Sequence, residues 1–231
     1  VRRSPLKPGP DRADKTEGIS ASTPSPAAWP TWSAERMYGL VNLAVQDLVT
    51  KNFGEETWRR IKARAGVEED AFLRLTQYPD KMTYDLVGAA CAELGADASD
   101  ILRTFGRFWI GFAMKEGYRE LFLISGRDLK TFLANLDNLH ARLGMTFVGM
   151  DAPSFVVVDK GPDELELQYY SSRPGLAPFV QGLLEGLGEV FRCSVEATIV
   201  ATRADGLDHD LFHVRCTPIA AADGAASAKG G

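Results

Sequence analysis

The chain has 231 residues, 45% of them apolar, 25% charged and 10% aromatic, the makeup of one or two ordinary soluble domains rather than a fibre or a wholly disordered chain. With 26 Lys and Arg against 31 Asp and Glu the formal charge is −5, which removes the basic footprint of nucleic-acid binders, so nucleic acid is not an expected partner. No apolar run approaches a membrane span and no signal-peptide pattern opens the chain. Its three cysteines, Cys91, Cys193 and Cys216, include no C-x-x-C pair and make neither a closed disulfide framework nor a thiolate zinc site, so a cytoplasmic protein with reduced thiols is expected.

In chain order, residues 1–36 come first, with Pro5, Pro8, Pro10, Pro24, Pro26 and Pro30, half of the 12 prolines, among scattered Ser, Thr and charges. That composition cannot bury enough surface to offset ordering entropy and predicts disorder. Met37 follows at the head of a well-patterned helix, which makes an upstream misreading of the start a further expectation; a native mass beginning at Val1 would remove it. The Ala/Gly/Ser-rich tail 219–231 reads as flexible linker. The block 37–218 between them is long enough for one core that buries about 70% of its surface.

In the first part of that block apolar residues recur at steps of three and four: Leu40, Val41, Ala44, Val45 and Leu48, then Trp58 and Ile61, then Leu86, Val87, Ala90, Cys91 and Leu94, then Ile101, Leu102, Phe105, Phe108, Trp109 and Phe112. These spacings predict helices. Ser125 with Asp128 resembles a capping box opening one helix through Leu133, Leu136, Leu139 and Leu143, which ends near Gly144. After Pro153 the pattern becomes β-prone, with strands 155–159 and 165–171 around a Gly-Pro-Asp turn. A helix over 179–191 and a second hairpin, 194–202 with 210–215, complete the block. The expected class is α+β: an N-terminal helical subdomain, then an antiparallel sheet subdomain with one helix, and ligand space between the two.

Two groups of residues carry chemistry. His140 has Leu136 four residues before it and Leu143 three after, which puts its imidazole on the apolar face of its helix, away from Arg127, Lys130, Asn138 and Arg142. A hydrogen-bonded core histidine is the commoner occupant of such a position. Apart from Asp137 beside the seam, no Cys, His or carboxylate three or four residues away shares its direction, so a multi-ligand protein metal site is poorly supported and a cofactor needing one protein ligand fits better. The second group is Tyr169, Ser171 and Arg173, in Tyr-Tyr-Ser-Ser-Arg. Alternation along a strand projects all three from one face as a row of donors suited to carboxylates, although a solvated strand face shows the same pattern. Pro174 keeps Arg173 extended and stops the strand.

Tyr-x-Ser-x-Arg, preceded by Asn-Leu-Asp-Asn-Leu-His ending at His140, by Gly-Met-Asp-Ala-Pro-Ser-Phe and by the opening Met-Tyr-Gly-Leu-Val-Asn, resembles the H-NOX family, the heme nitric oxide/oxygen binding domain that is also the sensor of soluble guanylate cyclase. The resemblance covers 37–218 and includes Thr83-Tyr84-Asp85-Leu86-Val87, Phe105-Gly106 and the helix with Gly182, Gly186 and Gly188. It implies heme b (iron protoporphyrin IX) between the two halves, with His140 as its sole protein ligand to iron. Tyr169, Ser171 and Arg173 would clamp the propionates, and Pro153 would press on the porphyrin from the proximal side. Val45, Trp109 and Phe179 fall at the distal positions. Phenylalanine stands where oxygen-holding members have a tyrosine, so the resemblance implies binding of nitric oxide and carbon monoxide with oxygen excluded.

The same resemblance implies a sensor rather than an enzyme. Release of His140 would free its helix, and a partner in trans would read the change: a histidine kinase, a cyclic-dinucleotide enzyme or a cyclase. The alternatives are an oxygen sensor with the Trp109 indole as distal donor, or a heme-free interaction or thiol-redox module using the cysteines. A peroxidase would want a distal histidine, whereas His209 and His213 fall at the last hairpin. Their four-residue spacing there does not suit a metal site.

Overall fold

The three- and four-residue apolar stripes fold as helices. The computed structural model describes residues 36–219, so the expectations for 1–35 and 220–231 lie outside the described residues. A short strand β1 (Arg36–Tyr38) leads into α1 (Gly39–Ala65), and β2 (Gln77–Pro79) pairs antiparallel with β1 before α2 (Asp80–Leu94) and α3 (Ala98–Ala113). The first helix therefore begins two residues later than Met37, because 36–38 are held in a ladder with 77–79. Arg36, grouped with the N-terminal extension by composition, is the first residue of that ladder.

A π-helical turn (Met114–Tyr118) joins α3 to α4 (Arg119–Ser125), followed by α5 (Leu129–Ala134) and α6 (Leu136–Gly144). The single helix expected from Ser125 onward is two helices. Ser125 closes α4, its hydroxyl donating to the Leu121 carbonyl at 2.6 Å, while the Asp128 carboxylate caps α5 by accepting the Thr131 N–H at 2.8 Å. The chain then breaks at Asn135 (φ −103°, ψ 5°), whose side-chain amide donates to the Ser125 carbonyl at 2.9 Å.

The second half is β3 (Ser154–Asp159), β4 (Glu164–Tyr170), α7 (Ala177–Phe191), β5 (Cys193–Ala201) and β6 (Asp210–Pro218), in one antiparallel sheet of order β3-β4-β6-β5. Burial alternates along β4, with Leu165, Leu167 and Tyr169 inward. Leu167, Phe212 and Val214 are fully enclosed under α7, each contributing about 1.5–3 kcal/mol by burial. The class is α+β as expected, helices first and an antiparallel sheet with its helix after.

Two apolar clusters form. One joins the sheet, α5, α6 and α7; the other joins α1, α2 and α3. Trp109, Tyr118 and Leu143 pack against both. Helices α3 and α7 approach backbone to backbone where Gly106 faces Gly182. A Cβ on Gly106 would run into the Phe179 carbonyl, and one on Gly182 into the Arg103 carbonyl. That contact fixes two walls of the space between the clusters.

Candidate functional site

Between the clusters lies a cavity of about 320 Å³, lined by Val41 of α1, Phe105 and Trp109 of α3, Leu143 of α6, Leu167 of β4, and Phe179 and Leu183 of α7, among others. Its wall is overwhelmingly apolar. The polar exceptions include His140 on one side and Tyr169, Ser171 and Arg173, which all line this one cavity.

His140 lies on α6 with its ring 6.0 Å from that of Phe155, which in turn is 5.3 Å from that of Tyr169. Its Nδ1 is buried with no hydrogen-bond partner of normal geometry. Burial pulls the imidazole pKa below its ordinary value, more strongly than the Pro153 backbone and the Asp137 carboxylate raise it, so the ring is neutral at pH 7. Asp137, beside it, accepts the Phe155 N–H at 3.1 Å and ties α6 to β3. Pro153 and His140 line the same cavity.

The donor row extends past the end of its strand. Tyr169 is within β4 and 3% exposed, whereas Ser171 and Arg173 come after the last ladder residue, Tyr170; the strand expected to reach Ser171 stops one residue short. Burial raises the Tyr169 phenol above its ordinary pKa, with the Ser171 hydroxyl opposing the shift. Ser171 Oγ accepts the Arg173 N–H at 3.1 Å, so an ST-type turn replaces the ladder there. The Arg173 guanidinium donates from Nε to Asp80 Oδ2 at 2.7 Å, and from its two terminal nitrogens to the carbonyls of Asp151 at 2.8 Å and Arg36 at 3.4 Å. It thereby ties β1, the start of α2 and the loop before β3 to the end of β4. A terminal nitrogen of the guanidinium also lies 3.6 Å from the Asp151 carboxylate. Ser172 adds a hydroxyl donated to the Asp151 carboxylate at 2.5 Å.

Phe179 and Trp109 also line the cavity, with Phe105 packed 5.2 Å from Phe179 and 6.2 Å from Trp109. Val45 does not line the cavity. It is buried in the α1–α2–α3 cluster, and Val41, one turn earlier on α1, lines the cavity instead. The two residues share one helical stripe, and only the crossing of α1 over the cavity decides between them. Val41, Leu183, Asp80 and Asp151 went unidentified as site residues from sequence, whereas the spacing places Asp137 beside the seam of His140. The acceptors of Arg173 on Asp80 and Asp151 lie 93 and 22 residues from it, beyond the reach of any local pattern.

The other sequence candidates fall elsewhere. His209 contacts Asp208 at 2.6 Å and packs on Tyr170, and His213 faces Glu164 at 3.7 Å, neither lining the cavity. Among the described residues no group of three or more His, Cys, Asp or Glu side chains is placed to hold a metal ion. Burial raises the Cys91 thiol, and burial with the neighbouring Cys216 sulfur pushes Cys193 up to about 12, so neither is a thiolate at neutral pH. Among the described residues no helix is long and apolar enough to cross a membrane. A flat apolar group with two carboxylates and a metal centre that takes one protein nitrogen fits what is present: a buried imidazole with an orphaned nitrogen, an apolar enclosure and a donor row along one edge.

Comparison with known proteins bears on the family and the fold. The chain is 28% identical over 155 residues to Soluble guanylate cyclase 89Db of Drosophila melanogaster, a match covering 67% of this chain and 23% of the cyclase. It is likewise 28% identical over 176 residues to Soluble guanylate cyclase gcy-31 of Caenorhabditis elegans, covering 76% and 24%. It thus spans about a quarter of the length of these relatives. In structure it is similar to an H-NOX protein from S. oneidensis in the Fe(II)NO ligation state (TM-score 0.71, 16% identity, 78% of this chain and 99% of that one). An Fe(II) unliganded H-NOX protein from K. algicida is about as similar (TM-score 0.70, 22% identity, 80% and 99%). The sequence profile described as Haem-NO-binding matches residues 38–199, more than half of the chain, and the chain belongs to that family, the H-NOX domains.

Proposed function

We propose that the cavity holds a b-type heme and that the chain is a sensor of nitric oxide and carbon monoxide. His140 is its only protein ligand, Tyr169, Ser171 and Arg173 receive the propionates, and Pro153 lies on the proximal side. The observation that carries this reading is the buried imidazole on the wall of an apolar cavity that three donor residues line together. When bound, such a heme supplies a ferrous iron with one position open to a diatomic gas.

The chain's own residues divide the work. Burial keeps His140 neutral, so a ring nitrogen retains its lone pair for a metal. The donor row offsets the desolvation of two carboxylates, which would otherwise be costly inside the protein. Among the lining residues Phe179 has no side-chain donor, and Val41, Phe105 and Leu183 are apolar. Dioxygen, which needs a hydrogen bond to its partial negative charge, is excluded, whereas nitric oxide needs none.

His140, which would hold the heme, is carried by α6, so that helix would be freed if the ring let go. Helix α6 (Leu136–Gly144) is short and separated from α5 by the break at Asn135, with the Asp137 to Phe155 bond joining it to β3. It would be the element that moves, and its displacement against the sheet would be the signal. A cyclase, a histidine kinase or a cyclic-dinucleotide enzyme in trans reads it. A second reading, an oxygen sensor, is favoured by the presence of Trp109 in the same wall, where its indole N–H is a donor if turned inward.

An absorption spectrum of the purified, reduced protein under nitric oxide, carbon monoxide and air tests the proposal. A Soret band that shifts with the first two gases and forms no oxygenated species in air is expected. A stable oxygenated spectrum moves the assignment to the Trp109 reading, and a colourless protein after expression with ample heme supply overturns both.

A further inference from the structure

Tyr169 is paired with Asp210 in the ladder between β4 and β6, but the two donors after it are carried by chain that has left the strand. Their backbone is held by a side chain from the far connection of the sheet. Arg203, in the single 3-10 turn (Arg203–Asp205) between β5 and β6, donates from one terminal guanidinium nitrogen to the Ser171 carbonyl and from the other to the Arg173 carbonyl, the latter at 2.5 Å. One planar fork therefore spans the two residues whose side chains enter the cavity.

Arg203 is itself anchored. Its N–H donates to Asp210 Oδ1 at 2.8 Å, and Asp210 is buried at 3% exposure. The Asp205 carboxylate closes the turn by accepting the Thr202 N–H at 2.8 Å and the Thr202 hydroxyl at 2.9 Å. Asp210 is also the residue opposite Tyr169, so the anchor of Arg203 and the first donor of the row share one ladder position. Arg203 does not line the cavity, and any effect it has there passes through Ser171 and Arg173. A lysine at 203 would keep the charge but not two parallel bonds in fixed geometry.

We infer that Arg203 is a positioning residue for the carboxylate-binding row: it fixes the path of residues 171–173 past the end of β4, so that Ser171 and Arg173 present their donors to the same ligand edge as Tyr169. The inference deepens the heme reading above and rests on it.

The test compares the full chain with its Arg203→Lys and Arg203→Gln variants, heme-free and heme-loaded. In the heme-free protein, amide hydrogen exchange over 169–175 is expected to quicken about tenfold in Arg203→Lys, which loses one charge-assisted hydrogen bond, and at least as much in Arg203→Gln, which loses both, with the urea midpoint close to that of the parent. In the loaded protein the resonance Raman propionate-bending band is expected to shift and heme transfer to excess apomyoglobin to quicken roughly tenfold, while the iron–histidine stretch stays in place. Unchanged exchange with an unmoved propionate band in both variants overturns the inference. So does faster heme loss that comes only with a lowered urea midpoint and an unmoved band, since that is general destabilisation. If the parent takes up no heme, the heme reading fails on its own, and the exchange experiment still decides whether Arg203 holds the row.

Discussion

Arg173 Nε lies 2.7 Å from Asp80 Oδ2, and the two side chains are 9% and 1% exposed, so this ion pair between the end of β4 and the first residue of α2 is almost wholly out of water. Such a pair adds little net stability over an apolar replacement of both partners, but removing one partner strands a buried charge. Asp80→Ala is expected to cost about 3–5 kcal/mol in urea denaturation. A loss below about 1 kcal/mol would show that Arg173 reaches solvent when released, contrary to its burial.

The contact of Gly182 with the Arg103 backbone makes a second expectation. Gly182→Ala places a methyl against a carbonyl that belongs to helix backbone and cannot swing aside, so α3 and α7 must separate. The cost is about 1–3 kcal/mol, read as a lower melting temperature, and under the proposed function gas affinity is expected to change too, because Phe179 is one turn away on α7. An unchanged melting temperature would contradict the packing described.

Under the proposed function, Phe179 is the residue to change for gas selectivity. Phe179→Tyr adds a hydroxyl to a wall built of Val41, Phe105 and Leu183, and a donor there is expected to lengthen the lifetime of the oxygenated species in air by at least an order of magnitude, about 1.4 kcal/mol for each tenfold. The check is stopped-flow absorbance after mixing the reduced protein with air. No gain in lifetime would mean that position 179 does not face the bound gas.

Long stripes such as Leu86, Val87, Ala90, Leu94 and the alternation Leu165, Leu167, Tyr169 are readable in the chain because burial on one face repeats at the period of the element. The β1–β2 ribbon is not, since three-residue strands have no period to show. The break at Asn135 is hidden because Leu133, Leu136 and Leu139 keep helical spacing across it, and only the Asn135 to Ser125 hydrogen bond marks it. For the site, His140 and the Tyr169, Ser171, Arg173 row are visible as residue types in an order. Which turn of α1 meets the cavity, Val41 or Val45, and which acidic groups hold Arg173, depend on contacts between distant segments.

The cysteines give a pH expectation with a definite sign. Burial and the Cys216 sulfur raise Cys193 to about 12 in the folded protein, against 9.0 for a free thiol. The folded state therefore keeps its proton where the unfolded state loses one. The stabilising contribution is full below pH 9.0 and is lost as the pH rises toward about 12. Iodoacetamide labelling followed by peptide mass analysis is expected to leave Cys193 unmodified at about pH 8 in the folded protein and to modify it rapidly once urea unfolds the chain. Rapid labelling of the folded protein under the same conditions would restore a thiol-redox role.

The most direct test of the central claim is to remove the imidazole and return it from solution. His140→Gly leaves the apolar cavity and the Tyr169, Ser171, Arg173 row in place, so the account predicts a protein that purifies without a stable heme spectrum and regains a five-coordinate spectrum on addition of imidazole. Full heme retention by His140→Gly without imidazole, with an unaltered spectrum, would contradict it.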